Sequence, residues 1–584
     1  MENSWNLSKI IKNNKEFDNL ISECEKLLNK LTKYKGKITK SSKTLLEFLK
    51  LNDELNRKYE KLYVYSYLNY YSDLTNSKFK GLTLKVNNLG EKISVGLSFA
   101  QPELMECDYD TIKSYISENE TLEEYSFALE KTYRYKPHTL NESEENIISL
   151  ATNAMGLCDE AYSALNDADI KLDSIKNEKG KKVILNQSNY SVYIKSKSSK
   201  VRKSAFMSMY KYYENHINTI SNLYLGDIKE HYFVSNVRKF KSPLEKSLFS
   251  DNINVNLYNL LIDVVNENLP LLHRYLSIKK KSLKLKEMHL YDVYAECVDV
   301  KEKSISFEKC LETIYNALKP LGEDYLNDLK KGIKSGWIDV YPRKGKRSGA
   351  YSWGSYDTMP YLSINYENNY QSVDTLIHEL GHSMHSFYSN KCNSYSDASY
   401  PIFLAEIAST VNEMLLTKYM LDTTKDKKLR RKYIFELLES IRTTIFRQTM
   451  FAEFERNIYE KYSNGVSITA LELNNSYYEL NKKYFGDEVV IDEEIKYEWA
   501  RIPHFYTPFY VYKYATGLIV SLIISDKLLN EKGFKDKYIE FLSSGGNDYP
   551  LNILKKLGID ITKKSTMENA FKVFREYLDM LEKE

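Results

Sequence analysis

Apolar residues recur at helical spacing over most of the chain, so long amphipathic helices are the first expectation. Between Ser41 and about Asp73 the positions Leu45, Phe48, Leu49, Leu55, Tyr59 and Leu62 form such a series, which continues in broken form towards residue 135. Pro137 and Asn141-Glu-Ser-Glu144 punctuate it, and Ile147 to Ala164 predicts another helix. From Lys181 to Lys195 the pattern turns β-like around Val183-Ile-Leu185 and Tyr190-Ser-Val-Tyr-Ile194, which predicts a short hairpin. Long helices are predicted over Lys200–Phe240, Asn256–Lys286, Arg430–Tyr462 and Ala470–Tyr484. One region alternates glycines, prolines and β-formers: Gly336–Pro342, Gly345–Gly354 and Pro360–Tyr366. It predicts a small sheet whose edge takes an extended peptide by backbone pairing, with Pro360–Tyr366 as the receiving strand.

Composition narrows the class. The chain has 584 residues, of which 42% are hydrophobic and 28% charged, as expected of a large globular protein. A net charge of +3 implies no polyanionic partner, and Lys279–Lys286 reads as a solvated helix face rather than a nucleic-acid patch. The six cysteines are scattered without a C-x-x-C pair and read as reduced thiols. The N-terminus lacks a basic region followed by an apolar one, and the longest strongly apolar run, Gly517 to Ile524, is too short to span a bilayer. A cytoplasmic location is expected, with no membrane and no nucleic acid as partner.

Thr375-Leu-Ile-His-Glu-Leu-Gly-His-Ser-Met-His385 changes the picture, because it is an H-E-x-x-H signature. On a helix His378 and His382 share one face a turn apart, so both imidazoles can hold one ion. Glu379 is set about 100° round, placed to take a proton from an attacking water. With 9 His and 80 acidic residues, chance supplies roughly 0.02 such matches in a chain of this composition. Leu376, Leu380, Met384 and Phe387 make an apolar stripe opposite the histidines. Gly381 costs the helix about 1 kcal/mol against Ala, which implies that another segment approaches closely there. His385 lies about 10 Å along the axis from His378, too far to join it as a ligand, and is assigned to the outer shell. The metzincin pattern would need Gly at 385 and His at 388, where His385 and Tyr388 stand.

The third ligand must come from elsewhere. Glu406, in the helix predicted over Pro401–Glu413, is the best donor, since Leu404, Ala408, Val411 and Leu415 form that helix's core stripe while Glu406, Thr410 and Glu413 share the other face. Glu413 is the competitor and is read as an outer-shell carboxylate that orients a histidine. Zn²⁺, one per chain, is the expected metal.

His378-Glu-Leu-Gly-His382, Glu406 within F-L-A-E-I-A-S-T, and the run Arg501-Ile-Pro-His-Phe-Tyr-Thr-Pro-Phe-Tyr-Val-Tyr-Lys-Tyr-Ala-Thr-Gly517 together resemble the oligoendopeptidase F branch of the thimet-oligopeptidase-like zinc peptidases. The likeness extends less specifically from about residue 110 to the C-terminus. It implies a mainly α-helical, two-lobed metallopeptidase with a deep substrate channel and a small sheet beside the zinc helix. It divides the chain into an N-terminal helical region (1–110), an oligoendopeptidase F-type lobe (111–195) and a zinc-peptidase region (196–584). It implies substrate backbone binding at Gly349, Ala350 and Tyr351 and along the strand ending at Asn365. It also implies oxyanion donors from His504, Tyr506 and Tyr512, although the His504–Tyr512 interval is shorter than the Gly-rich loop of the thimet branch.

The expected function is zinc-dependent hydrolysis of internal bonds in short unstructured oligopeptides, with Glu379 as general base. An exopeptidase is the alternative, in which Arg347 or Arg501 clamps the substrate's terminal carboxylate. A non-catalytic helical interaction protein is a third possibility, but a structural zinc site has a fourth protein ligand and no use for Glu379.

Overall fold

The computed structural model describes residues 4–152, 155–300 and 303–584. Helices dominate, with one two-stranded and one three-stranded sheet among the described residues. No helix among those residues is long and apolar enough to cross a membrane. The chain divides into two compact units that interleave in sequence. Unit 1 comprises Met1–Pro137, Glu302–Tyr419 and Ile524–Ile559; unit 2 comprises His138–Lys301, Met420–Ile523 and Asp560–Glu584.

Unit 1 begins with helices Asn14–Leu31, Ser42–Ser72 and Ser77–Gly96, packed on one another through Leu27, Leu45, Leu62 and Val86. The series expected from residue 41 to 73 is therefore one helix of 31 residues, and Ser41 caps it by accepting the Thr44 N–H. The three-stranded sheet consists of Ile338–Asp339 (β3), Tyr351–Trp353 (β4) and Tyr361–Ser363 (β5), in the order β3-β5-β4. The β3–β5 pair is parallel and the β4–β5 pair antiparallel.

This order corrects one expectation. Pro360–Tyr366 was to receive substrate as an edge strand, yet β5 is central, buried and paired on both sides. Trp5, Tyr351 and Tyr361 pack ring against ring and fasten the sheet to the N-terminal segment. A strand paired on both sides has no ladder groups left for a peptide. The free edge beside the motif helix belongs to β4.

Unit 2 is built around Ser199–Val237, a helix of 39 residues. Its buried Arg202 gives a forked pair of hydrogen bonds to Asp292 Oδ1, at 3.0 and 2.6 Å. Asn256–Lys286 is not one helix but two, Val255–Glu267 and Leu269–Ser282, separated at Asn268 before Pro270, which cannot continue the ladder. Ile147–Ala164 likewise divides, into Glu142–Thr152 and Leu157–Ser163, with Gly156 at φ 79° before the second. Arg430–Tyr462 is interrupted by a π-turn at Arg442–Phe446.

The expected hairpin exists with a different partner. Lys182–Ile184 (β2) pairs with Ser174–Lys176 (β1), and Gln187–Tyr193 is helical. Tyr190 and Ile194 are buried while Val192 between them is 65% exposed, so the apolar period is four and not two. Asn186 and Asn189 close a capping box at the start of that helix.

Candidate active site

The motif helix spans Tyr370–Cys392, and Asn369 starts it by accepting the Ser372 N–H. Its stripe of Leu376, Leu380 and Met384 is fully buried. The second helix runs Ile402–Thr423, with Pro401 just before its first turn and Leu404, Ala408, Val411 and Leu415 in the core. Contacts pair Ile377 with Asn412, His378 with Glu413 and Gly381 with Ser409, so the two helices run antiparallel.

Gly381 is where they touch most closely. A Cβ there would lie 2.6 Å from Ser409 Cα and 2.7 Å from the Ala408 carbonyl oxygen. The helix thus loses some intrinsic stability so that the backbone carrying Glu406 can sit against the histidines.

The three expected metal donors come together. His378 Nε2 and His382 Nε2 are 3.2 Å apart, and Glu406 Oε2 lies 3.5 and 3.6 Å from them. Tetrahedral bonds of about 2.0–2.1 Å require donors separated by roughly 3.3–3.4 Å, so this triangle fits a zinc-sized ion. The side chains of His382, His378 and Glu406 are 18, 25 and 43% exposed. Among the described residues the cluster has three members, His378, His382 and Glu406.

The donors are held from behind. Glu413 Oε1 is 2.5 Å from His378 Nδ1, His382 hydrogen-bonds the Ala405 carbonyl, and Ser409 Oγ lies within donating distance of both the Glu406 backbone carbonyl, at 2.9 Å, and Glu406 Oε2, at 3.2 Å. Such partners set the ring orientation and make the facing nitrogen more basic. Asn412, fully buried, donates to the Ile377 carbonyl at 3.1 Å and ties the helices together one residue before His378 and its partner Glu413. Sequence reading passed over Asn412, although a buried-face Asn beside Glu413 was visible there. Burial depresses the basicity of His378, but the Glu413 hydrogen bond and charge outweigh it and carry its pKa up to about 9. Burial and then the His378 charge push His382 down to about 4. The pair accepts one proton readily and a second only with difficulty, and a metal ion competes for the same nitrogens.

Glu379 is 8% exposed, and burial pushes its carboxyl up to about 7 against the opposing charge of His378. It accepts a hydrogen bond from the Ser352 backbone N–H of β4. Ser352 Oγ and Ser383 Oγ, 2.7 Å apart, add a second tie between the edge strand and the motif helix. Gly349, with φ 84°, precedes β4, and its carbonyl accepts from Asn365 Nδ2 at 2.9 Å. Tyr351 lies in β4 and Ala350 immediately before it. His385 is fully buried and stacked on Tyr400 with centroids 3.7 Å apart; neither ring nitrogen has a hydrogen-bond partner among the described residues.

Matches to known proteins decide the lineage. The model of peptidase family M3 matches residues 192–573, and that of oligopeptidase F matches residues 103–171. The chain belongs to peptidase family M3. It is 40% identical over its full length to oligopeptidase PepF of Bacillus subtilis (strain 168), covering 87% of that protein. It is 36% identical to group B oligopeptidase PepB of Streptococcus agalactiae serotype III (strain NEM316), covering 99% of this chain and 96% of that one. Among solved structures, oligoendopeptidase-F from Enterococcus faecium superimposes with a TM-score of 0.75 at 32% identity, over 98% of this chain and 99% of that one. This family M3 chain is accordingly a metallopeptidase with the mainly α fold expected of it.

His504, Tyr506 and Tyr512 all lie in unit 2. His504 is partly exposed, with Tyr510 stacked beside it and Tyr514 edge-on at 5.9 Å. Burial and the nearby Arg447 charge lower its pKa, so its imidazole is neutral near pH 7. Tyr506 is buried and stacked on Tyr162, and Tyr512 is fully buried against Tyr258. Tyr514, which sequence reading did not single out, is the tyrosine of this run that meets His504 edge-on while remaining partly exposed. Arg347 in unit 1 lies over the Tyr71 ring at 4.2 Å, and Arg501 in unit 2 over Tyr190 at 4.6 Å.

Proposed function

We propose that this family M3 chain is a zinc-dependent endopeptidase that cuts internal bonds of short, unstructured oligopeptides. The observation that carries the proposal is the open triangle of His378, His382 and Glu406 with Glu379 buried beside it. His378, His382 and Glu406 would hold the ion, with Glu413 and the Ala405 carbonyl fixing the two imidazoles. When bound, zinc polarises the scissile carbonyl and acidifies water at neutral pH.

Glu379 then accepts the proton of the attacking water and delivers it to the leaving amine. Its buried setting favours both halves of that cycle, because a carboxyl with a pKa near neutrality gives and takes a proton at similar cost. The Ser352 N–H holds the carboxylate in place from the sheet edge. Substrate backbone would pair along β4, by the free-edge argument. Oxyanion donors are proposed from the run containing His504, with the phenols of Tyr512, Tyr506 and Tyr514 as candidates. The names of the relatives, oligopeptidase and oligoendopeptidase, support the choice of substrate class.

A peptide of about ten residues with both termini blocked tests this, assayed free and embedded in a stable globular host, with mass spectrometry as readout. The free peptide should be cut internally, activity should vanish with a chelator and return with zinc, and the host should survive, since unfolding it costs roughly 5–15 kcal/mol. Cleavage only of peptides with a free C-terminus would instead establish an exopeptidase. Rapid cleavage of the folded host would establish a general protease.

A further inference from the structure

Unit 2 contains a cavity of about 290 Å³ that none of the metal donors and none of the proposed oxyanion donors lines. Its walls come from the helix Gln187–Tyr193, the long helix Ser199–Val237, the π-turn Arg442–Phe446 and the segment Glu493–Arg501. Phe206, Leu272, Phe446 and Met450 make much of the surface apolar. A π-turn inside a helix costs backbone hydrogen bonding and is frequently kept where a side chain must be aimed. Here it places Arg442 on the cavity wall, with Arg447 one residue past its end.

The charges around the cavity do not balance. Arg442 is held by Glu439 through two hydrogen bonds of 3.1 and 2.5 Å, and Glu439 also receives Lys279 at 3.2 Å. Arg447 donates to Glu498 Oε1 at 2.7 Å, and the other oxygen of Glu498 accepts from Tyr477 at 2.6 Å. Arg501 is different. It lines the cavity, its guanidinium lies over the Tyr190 ring, and it makes no hydrogen bond or ion pair to any described residue. Lys195, Arg442, Arg447 and Arg501 thus line the cavity against one lining carboxylate, Glu498, with Glu439 held behind Arg442; the Glu498 charge reaches Arg501, but that carboxylate is hydrogen-bonded to Arg447 and Tyr477, so Arg501 has no anion of its own to bond.

A guanidinium cannot shed its proton, and the donors of the partly exposed Arg501 are open to a ligand in the cavity. Its planar fork matches a carboxylate in two-point hydrogen bonding. The volume is at the small end of ligand pockets, which begin at about 300 Å³, and the aromatic and aliphatic walls suit a body without polar groups. An α-ammonium would add charge of the wrong sign.

We infer that this cavity is a binding site for a small organic carboxylate that has an apolar or aromatic body and no neighbouring ammonium, with Arg501 as the partner of the carboxylate. The inference concerns unit 2 alone and does not depend on the proposed peptidase chemistry, although Arg447 of this wall also acts on the pKa of His504.

The test uses the full chain and four probes in calorimetric titration: 3-phenylpropionate, its uncharged amide, L-phenylalanine and acetate. Because a carboxylate also binds an exposed metal ion, titrations are run on chelator-stripped protein as well as on zinc-loaded protein. The expected result is 3-phenylpropionate binding at least tenfold tighter than the amide, L-phenylalanine or acetate, with the metal making no difference. Arg501→Gln should bring the acid down to the level of the amide, and Arg501→Lys should weaken it less. The comparison of acid with amide needs no variant and stands even if Arg501→Gln fails to fold. Equal binding of acid and amide would overturn the inference, as would binding that disappears with the metal but survives in Arg501→Gln. Acetate binding as tightly as 3-phenylpropionate would mean a bare-anion site and overturn the ligand class; L-phenylalanine doing so would overturn the exclusion of an ammonium.

Discussion

Gly381→Ala is a one-carbon change whose effect follows from two opposed magnitudes. Replacing glycine by alanine inside a helix is worth about 1 kcal/mol to the helix. Against this, the new Cβ would sit 2.6 Å from Ser409 Cα, whereas ordinary contact begins at 3.4 Å, and the obstructing atoms are backbone and not a flexible side-chain tip. The second helix must therefore retreat by about 0.8 Å. Overpacking of this kind costs about 1–3 kcal/mol, so the metal-free chain should be destabilised by at most about 2 kcal/mol. The metal site suffers more. Ser409 Oγ steadies Glu406, and the Ala405 carbonyl orients His382, so the retreat carries away both a donor and a support. Metal sites accept displacements of only about 0.2 Å, and loss of outer-shell support alone costs about 10–100-fold in affinity. Gly381→Ala should accordingly bind zinc at least tenfold more weakly while melting, without metal, within a few degrees of the parent. Chelator-competition titration and thermal melts with and without zinc measure the two quantities separately. Unaltered zinc affinity with a raised melting temperature would show that helix propensity wins and that the close approach is not what the glycine is for.

Four further outcomes are expected. Glu379→Gln should keep its zinc and lose peptide cleavage by about 10²–10⁴ in kcat, because the donors remain while the proton carrier is gone; metal analysis beside a cleavage assay decides this, and loss of zinc would make Glu379 a ligand. Glu413→Gln should weaken zinc about 10–100-fold by releasing His378, and unchanged affinity would remove Glu413 from the metal's support. Tyr512→Phe and Tyr514→Phe should be compared at saturating substrate: the donor to the oxyanion loses about 10²–10³ in kcat with little change in KM, and no loss in either returns both to packing roles. Glu455, fully buried, accepts the Phe509 N–H at 3.0 Å where Phe509 is held at φ 57°, and burial raises its carboxyl well above 4.5. Below about 4.5 the folded and unfolded chains are both protonated there, and as pH rises the unfolded chain alone releases its proton, so stability falls until the raised pKa is passed. Glu455→Gln should remove that decline, gaining on the parent between pH 5 and pH 8, whereas Glu455→Ala strands the Phe509 N–H and loses about 1–3 kcal/mol; equal melting of both variants at both pH values would refute this.

The two candidate histidine donors and the glutamate between them were legible because their spacing is local. His378, Glu379 and His382 are brought together by helix geometry, and the 3.6-residue period is a property of any short run of backbone. The second helix was legible for a related reason, since its apolar stripe at Leu404, Ala408 and Val411 determined that Glu406 and Glu413 share the opposite face. Even Gly381 signalled a close approach, because a glycine in a strongly patterned helix contradicts its own propensity.

What the sequence left open is what depends on partners distant along the chain. Tyr190–Ile194 satisfies strand and helix periods equally over so few residues, and only packing decided for the helix by burying Tyr190 and Ile194 while leaving Val192 exposed. Pro360–Tyr366 is recognisable as a strand, but whether it is central depends on Ile338–Asp339 and Tyr351–Trp353 lying on its two sides. The hydrogen bond from the Ser352 N–H to Glu379 and the place of Arg501 on the cavity wall have no local signature, because each depends on where a remote segment comes to rest. Periodicity and spacing are written residue by residue, so the sequence alone determined most of the long helices and which faces carry the candidate donors His378, His382 and Glu406. Strand order, the free sheet edge and the charge surplus of the cavity arise from contacts between remote segments, and only the tertiary structure decided them.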